Sequence, residues 1–159
     1  MYQVGDKIAH PMHGAGVIES VAEQCHGGKK QMYYVVRMTV GAMTVMIPCD
    51  HCDSVGVRAI IAEEEADRLL RSFPTLSVDE TQNWSQRFRE NMLKIKSGDL
   101  TQVAEVAKSL LRREGRRGLS TGERKLLTSA RQILISEIMM AKSAAYEEVA
   151  HMVDAGLIE

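Results

Sequence analysis

Glu63-Glu64-Glu65-Ala66-Asp67-Arg68-Leu69-Leu70-Arg71-Ser72-Phe73-Pro74 is the stretch on which the reading of the fold turns. Three carboxylates in succession supply the acidic first turn that a helix N-terminus favours, because the unpaired N–H groups there carry partial positive charge. From Ala62 onward, apolar residues recur at Ala66, Leu69, Leu70 and Phe73, the spacing of a helix with one buried stripe. Pro74 ends it. Before Ala59 the pattern is of another kind, and after residue 83 the helical spacing returns, so the chain divides into a β part and an α part.

Moving toward the N-terminus, Met43-Thr44-Val45-Met46-Ile47 reads as a strand stopped by Pro48, and Gln31 to Val40 as a second, rich in β-branched and aromatic residues. Gly27-Gly28-Lys29-Lys30 reads as a hairpin tip. Val17 to Gln24 alternates loosely, with Val17, Glu19, Val21 and Glu23 on one side. His13-Gly14-Ala15-Gly16 has turn chemistry, and Lys7 to His10 is a short strand ending at Pro11. Short strands at this spacing predict a small antiparallel barrel of the SH3 or Tudor type.

Toward the C-terminus, residues 71–82, with Pro74, Thr75, Ser77 and Thr81, are expected to be a linker. Four helices follow. The first carries Trp84, Phe88, Met92 and Ile95 on one stripe and breaks at Ser97-Gly98. The second opens on a capping box, Asp99 to Gln102, and ends in Arg112-Arg113-Glu114-Gly115-Arg116-Arg117-Gly118, a basic tip with two glycine breaks. The third opens on the box Ser120 to Glu123, and the last closes at Gly156. The expected fold is α+β: a small antiparallel SH3/Tudor-like barrel over residues 1–70, the linker, and a compact all-α bundle over residues 83–159.

The 159 residues suffice for one ordinary domain or two small ones. No apolar run reaches the ~18 residues of a membrane-spanning helix, residues 1–20 lack a signal-peptide core, and three cysteines cannot all pair within one chain. The chain reads as cytoplasmic.

Charge is unevenly placed. The formal net charge is −1, yet Trp84 to Arg131 holds twelve Lys/Arg against five Asp/Glu, a surplus of seven. Such clustering raises a local field and points to an anionic partner. Arg112, Arg113, Arg116 and Arg117 crowd one helix corner, Arg124 and Lys125 begin the next helix, and Arg87, Arg89, Lys94 and Lys96 follow Trp84. The bland alternative is a solvated face, although helix surfaces ordinarily intersperse both signs. Trp84, the one tryptophan, admits two readings. Its spacing to Phe88 and Met92 fits a core stripe, whereas its place at the very start of a helix fits an apolar wedge entering a DNA minor groove, with Asn83, Ser85 and Arg87 toward phosphates.

Other constellations are weaker. Cys49 and Cys52 have C-x-x-C spacing, but Cys25-His26 is not a second knuckle, so no metal is expected. His10 and His13 flank Pro11 with no relay partner, and Gly14-Ala15-Gly16 precedes a strand, so no phosphate loop is formed. Nothing requires an enzyme or a cofactor. The rivals to a DNA-binding protein are a protein-only adaptor whose basic face meets an acidic partner, and an enzyme built on Cys49 and Cys52.

Val4-Gly5-Asp6, His10-Pro11-Met12-His13-Gly14, Gly16-Val17-Ile18, Met43-Thr44-Val45, Ile47-Pro48 and Val55-Gly56-Val57-Arg58 together resemble the N-terminal module of the bacterial CarD/CdnL transcription regulators. Asn83-Trp84-Ser85 with Arg87, Ser97-Gly98-Asp99, Val103-Ala104-Glu105-Val106, Arg112-Arg113, Gly118-Leu119-Ser120 and Ala130-Arg131-Gln132-Ile133-Leu134 resemble its helical domain. The resemblance implies a Tudor-like module that docks on the RNA polymerase β subunit by strand-edge contact, with Met43, Thr44, Val45, Met46 and Ile47 as the edge. It implies a helical domain on promoter DNA at the upstream edge of the melted −10 region. There Trp84 would wedge into the minor groove and slow bubble collapse, beside Asn83 and the cations Arg87, Arg89, Arg113, Arg116 and Lys125. Some relatives carry arginines near the positions of Gln24 and Met46, and this chain does not, so its dock is expected either to be less electrostatic or to meet a different partner surface.

Overall fold

The computed structural model describes residues 1–158 and has the α+β architecture expected. Five strands, β1 Lys7–His10, β2 Gly14–His26, β3 Lys29–Met38, β4 Thr44–Pro48 and β5 Arg58–Ala59, form one antiparallel sheet in the order β4-β3-β2-β1-β5. A one-turn helix, α1 Cys52–Val55, precedes β5. Then come α2 Glu63–Ser72, α3 Trp84–Lys96, α4 Leu100–Arg117, α5 Thr121–Lys142 and α6 Tyr146–Ile158.

The inner face of the sheet buries Ile8, Ile18, Tyr34, Val36, Met38 and Ile47, closed by Cys52 and Val57. Strict alternation along β2 does not hold. The register shifts between Ile18 and Ser20, so Glu19 is the bulged residue, and Ile18 and Val21 come to lie opposite Val36 and Tyr34, two residues of one face. Beyond that bulge the β2–β3 hairpin outruns the core, and Val21 and Met32 are exposed. The turn expected at residues 13–16 is instead at Pro11 to His13, since β2 already includes Gly14 to Gly16.

The helical core is separate and larger. It gathers Phe73, Ile95, Val103, Val106, Leu110, Leu134, Ile138 and Val153 from five elements. Ala66 and Leu69 of α2 also belong to it, so the boundary between the two cores falls near residue 61 and not near residue 70. Residues 71–82 are no free linker. Phe73 is fully buried, the Lys108 ammonium donates to the Phe73 and Pro74 carbonyls (2.9 Å each), and Asp79 N donates to Ser109 Oγ (2.9 Å). Polar side chains that looked like linker composition serve to satisfy the backbone of a strap laid on the bundle. Neither Gly115 nor Gly156 breaks its helix: α4 runs on to Arg117 and stops at Gly118, and α6 passes through Gly156, where Phe73 packs so closely that a Cβ would meet its ring at 3.0 Å.

The two halves are joined through α5. Gly14 has φ +84 and lies against Ile133 and Ser136, where a Cβ would stand 2.5 Å from Ser136 Oγ; only glycine supplies both that backbone and that space. Ala15 N donates to Ser136 Oγ at 2.9 Å. Glu137, with no exposed surface, receives both Arg58 guanidinium nitrogens (2.6 and 2.9 Å) and Ile61 N (2.9 Å), while Arg58 also donates to Gly98 O at 3.1 Å. Lys142 and Asp67 add an ion pair between α5 and α2. A buried carboxylate with three donors is well compensated for its lost hydration.

Candidate nucleic-acid and protein interfaces

Trp84 is the first residue of α3, and Asn83 caps that helix by accepting from Gln86 N (2.9 Å) through its side-chain oxygen. The indole is 46% exposed. It is nevertheless held: its ring stacks on Phe88 with centroids 5.0 Å apart and planes 19° apart, and Nε1–H donates to Ser120 Oγ at 3.1 Å. Phe88 in turn lies over Gly122, where a Cβ would come within 3.3 Å of its ring. An aromatic side chain fixed by a stack and a hydrogen bond, with nearly half its surface open, is ordered before it meets a partner.

Arg87 does not face outward. It is 3% exposed, donates to both Glu123 oxygens (2.8 and 3.3 Å), and turns its Nη1 to the Thr81 and Gln82 carbonyls (3.0 and 3.2 Å). The expectation that Arg87 contacts DNA directly is therefore corrected: it is a positioning residue that locks the start of α3 to the start of α5. The Ser120 to Glu123 capping box explains the error. Ser120 Oγ does accept from Glu123 N (3.2 Å), but the Glu123 side chain, 1% exposed, is held chiefly by Arg87, with Ser120 Oγ donating to its Oε1 at 3.4 Å. Burial works against ionisation of Glu123, yet the Arg87 hydrogen bonds and charge outweigh it and hold the carboxyl below the ordinary range.

The other cations differ in setting. Arg89 and Lys125 are exposed on α3 and α5. Arg116 is exposed and 3.9 Å from Glu80. Arg113 is half-buried, with its Nε meeting no partner among the described residues. Arg113 and Arg116 line the same recess as Arg87, whereas Arg89 and Lys125 lie outside it. Of the twelve basic residues in the block, Arg87 and Lys108 are spent inside the bundle and Arg131 pairs with Asp154 (2.8 Å), so the outward field is weaker than the composition implied. Ser120 and Glu123 are the residues that sequence reasoning did not assign to the site; a serine-to-glutamate spacing marks a cap but is silent on what the glutamate binds.

In the sheet, β4 is an edge strand, paired only with β3. Met43, just before it, and Met46 within it are exposed at 48% and 39%, and Thr44 is exposed, whereas Val45 packs against the core and Ile47 is buried within it. Ile47 therefore anchors the edge and presents no side chain to a partner. Gln24 and Met46 meet across the sheet, Nε2 to Sδ 3.8 Å. Cys49 and buried Cys52 are free thiols whose ionisation burial suppresses, Cys25 lies at the far end of β2, and among the described residues no His/Cys/Asp/Glu group is placed to hold a metal. No helix among those residues is long and apolar enough to cross a membrane.

Comparison with known proteins agrees with this two-part layout. Residues 2–61 match the family described as "CarD-like/TRCF RID domain", and residues 68–154 match "CarD, C-terminal domain". A Bacillus subtilis (strain 168) protein named "Putative transcription factor YdeB" is 36% identical over 149 residues, covering 94% of this chain and 97% of that protein. With both halves matched in order and a relative aligned over nearly its whole length, this chain belongs to the CarD-like family of bacterial transcription regulators.

Proposed function

We propose that the protein regulates transcription by tethering to the RNA polymerase β subunit through the β4 edge while Trp84 contacts promoter DNA at the upstream border of the melted −10 region, prolonging the open complex. The observation that carries this reading is the half-exposed indole, held by Phe88 and Ser120 at a helix start instead of being sealed in the bundle. A flat apolar group already fixed in place can enter an opened minor groove without a further ordering cost. Asn83, Arg89, Arg113, Arg116 and Lys125 would bind phosphates around it. An open strand edge with exposed methionines suits β-addition, in which backbone hydrogen bonds give affinity. The role is architectural: no reaction and no cofactor is invoked.

The decisive experiment is open-complex lifetime with purified polymerase, wild type against Trp84→Ala. The expected result is a lifetime shorter by roughly tenfold, consistent with ~1–3 kcal/mol for an apolar group stacked on a base. Polymerase binding and the melting temperature should stay near the wild-type values. An unchanged lifetime with a folded variant would remove the wedge and leave the basic face to an acidic protein partner.

A further inference from the structure

Beneath the basic corner lies a recess of about 170 Å³, bounded by the strap at residues 78–82, by α3 and by α4. That is well above the ~10–15 Å³ that a single water requires. Asn91 in its wall is 1% exposed, and neither its Oδ1 nor its Nδ2 has a partner or is open to solvent; the Arg113 Nε beside the same recess is likewise buried and unmet. Every other buried side-chain polar group among the described residues is satisfied, so these three atoms stand apart. Arg112, Arg113, Arg116 and Arg117 surround the recess, facing the carboxylates of Asp79 and Glu80, while Arg87 is already neutralised by Glu123.

We propose that this recess binds a small phosphorylated ligand of the nucleoside phosphate class. Guanidinium groups at the rim match phosphate oxygens in a planar, two-pronged geometry. A small shift of the recess wall would bring the Asn91 amide, whose carbonyl acceptor stands beside its N–H donors, against a nucleobase edge. Val78 and Leu110 add apolar wall for a ring. A duplex backbone is a poorer occupant, because its phosphates would stop at the rim, against Asp79 and Glu80, and leave the Asn91 amide unmet. The recess adjoins Arg87 and hence the base of the helix that presents Trp84, so its occupant would sit next to the DNA-contacting surface.

The test is calorimetric titration of the full-length protein with ADP, GDP and pyrophosphate, without DNA, so that its result is independent of the wedge reading. At least one nucleotide should bind saturably and more tightly than pyrophosphate. Asn91→Leu, close in volume but unable to hydrogen-bond, and Arg113→Gln should each weaken binding by about tenfold or more, the size expected for one lost hydrogen bond to a charged or buried group. Asn91→Leu should melt no lower than wild type, because it removes two unmet polar atoms, and should bind forked DNA as wild type does. No saturable binding at millimolar nucleotide, binding unaltered in both variants, or pyrophosphate binding as tightly as the nucleotides would each overturn the proposal. So would an Asn91→Leu protein that loses DNA affinity as far as Arg113→Gln does, since the recess would then serve the DNA backbone.

Discussion

A guanidinium placed beside a tryptophan at a helix start looks alike in sequence whether it turns toward solvent or toward the next helix; here Arg87 turns inward, and the consequences can be measured. Its partner Glu123 is almost wholly buried, so removing one charge strands the other without water. Arg87→Met should therefore cost about 3–5 kcal/mol of stability, read as a lower urea midpoint. The double variant Arg87→Met, Glu123→Leu should recover most of that loss, because an apolar pair of similar volume avoids the desolvation penalty, although the Thr81 and Gln82 carbonyls would still lack their donor. Failure of the double variant to recover would mean that those two carbonyls, and not the ion pair, carry the lock. The pair also has a pH signature. The Glu123 carboxyl is held below its ordinary 4.5, so its contribution is present above that pH and is lost as pH falls through the lower folded value.

Two parts of the sheet, the turn after β1 and the β4 edge, each give their own expectation. The Pro11 to His13 turn packs near α5, and His10 Nδ1 accepts from Met12 N at 3.0 Å, which requires a neutral ring. Burial first, and the neighbouring His13 second, lower the His10 pKa from 6.5 to about 4. Stability tied to this group is thus complete above pH 6.5 and declines as pH falls toward 4; His10→Asn should flatten the fall in melting temperature across that window, and an NMR titration of His10 should give a midpoint near 4. At the opposite edge, Met46→Lys should lower affinity for the polymerase β subunit by roughly tenfold, about 1.4 kcal/mol, while leaving the melt unchanged, because this side chain is exposed. Equal affinity would place the dock elsewhere on the sheet. The helices were legible because Ala66, Leu69 and Phe73, or Val103, Val106 and Leu110, repeat with the helical period and bury as a stripe. The bulge at Glu19 was not, because a bulge adds one residue without any compositional mark. Nor was the strap at residues 71–82, whose serines and threonines suit a loose connection and a hydrogen-bonded one equally. In the site, position was legible and orientation was not: Trp84 at the head of its helix could be read from the spacing, but whether Arg87 or Arg89 reached outward depended on where α5 crosses α3.

Across the whole molecule, α5 fixes how far the β4 edge stands from Trp84. Gly14 and Ala15 of the sheet lie on Ser136, and Arg58 and Ile61 close on Glu137, so the β4 edge and the Trp84 end, the two surfaces to which the proposed function assigns polymerase and DNA, belong to one connected body instead of two domains on a tether. On the proposed function, a rigid separation would make the second contact intramolecular at a single geometry, raising effective concentration only where the enzyme and the melted DNA are spaced to match. Each contact can then be weak alone, and the DNA contact can be weighed by its salt dependence. Counting Arg87 with Arg89, Arg113, Arg116 and Lys125 would give five neutralised phosphates. Because Arg87 is buried against Glu123, four remain. At about 0.9 per phosphate, the log–log slope of duplex affinity against salt should be near −3.6 for the isolated protein. Removing Arg89 or Lys125 should flatten that slope by about 0.9 each, and a folded Arg87→Met protein should leave it unchanged. A slope that flattens when Arg87 is replaced, in a protein shown by its melt to be intact, would mean that the Arg87–Glu123 pair opens on DNA and that the start of α3 rearranges to bind.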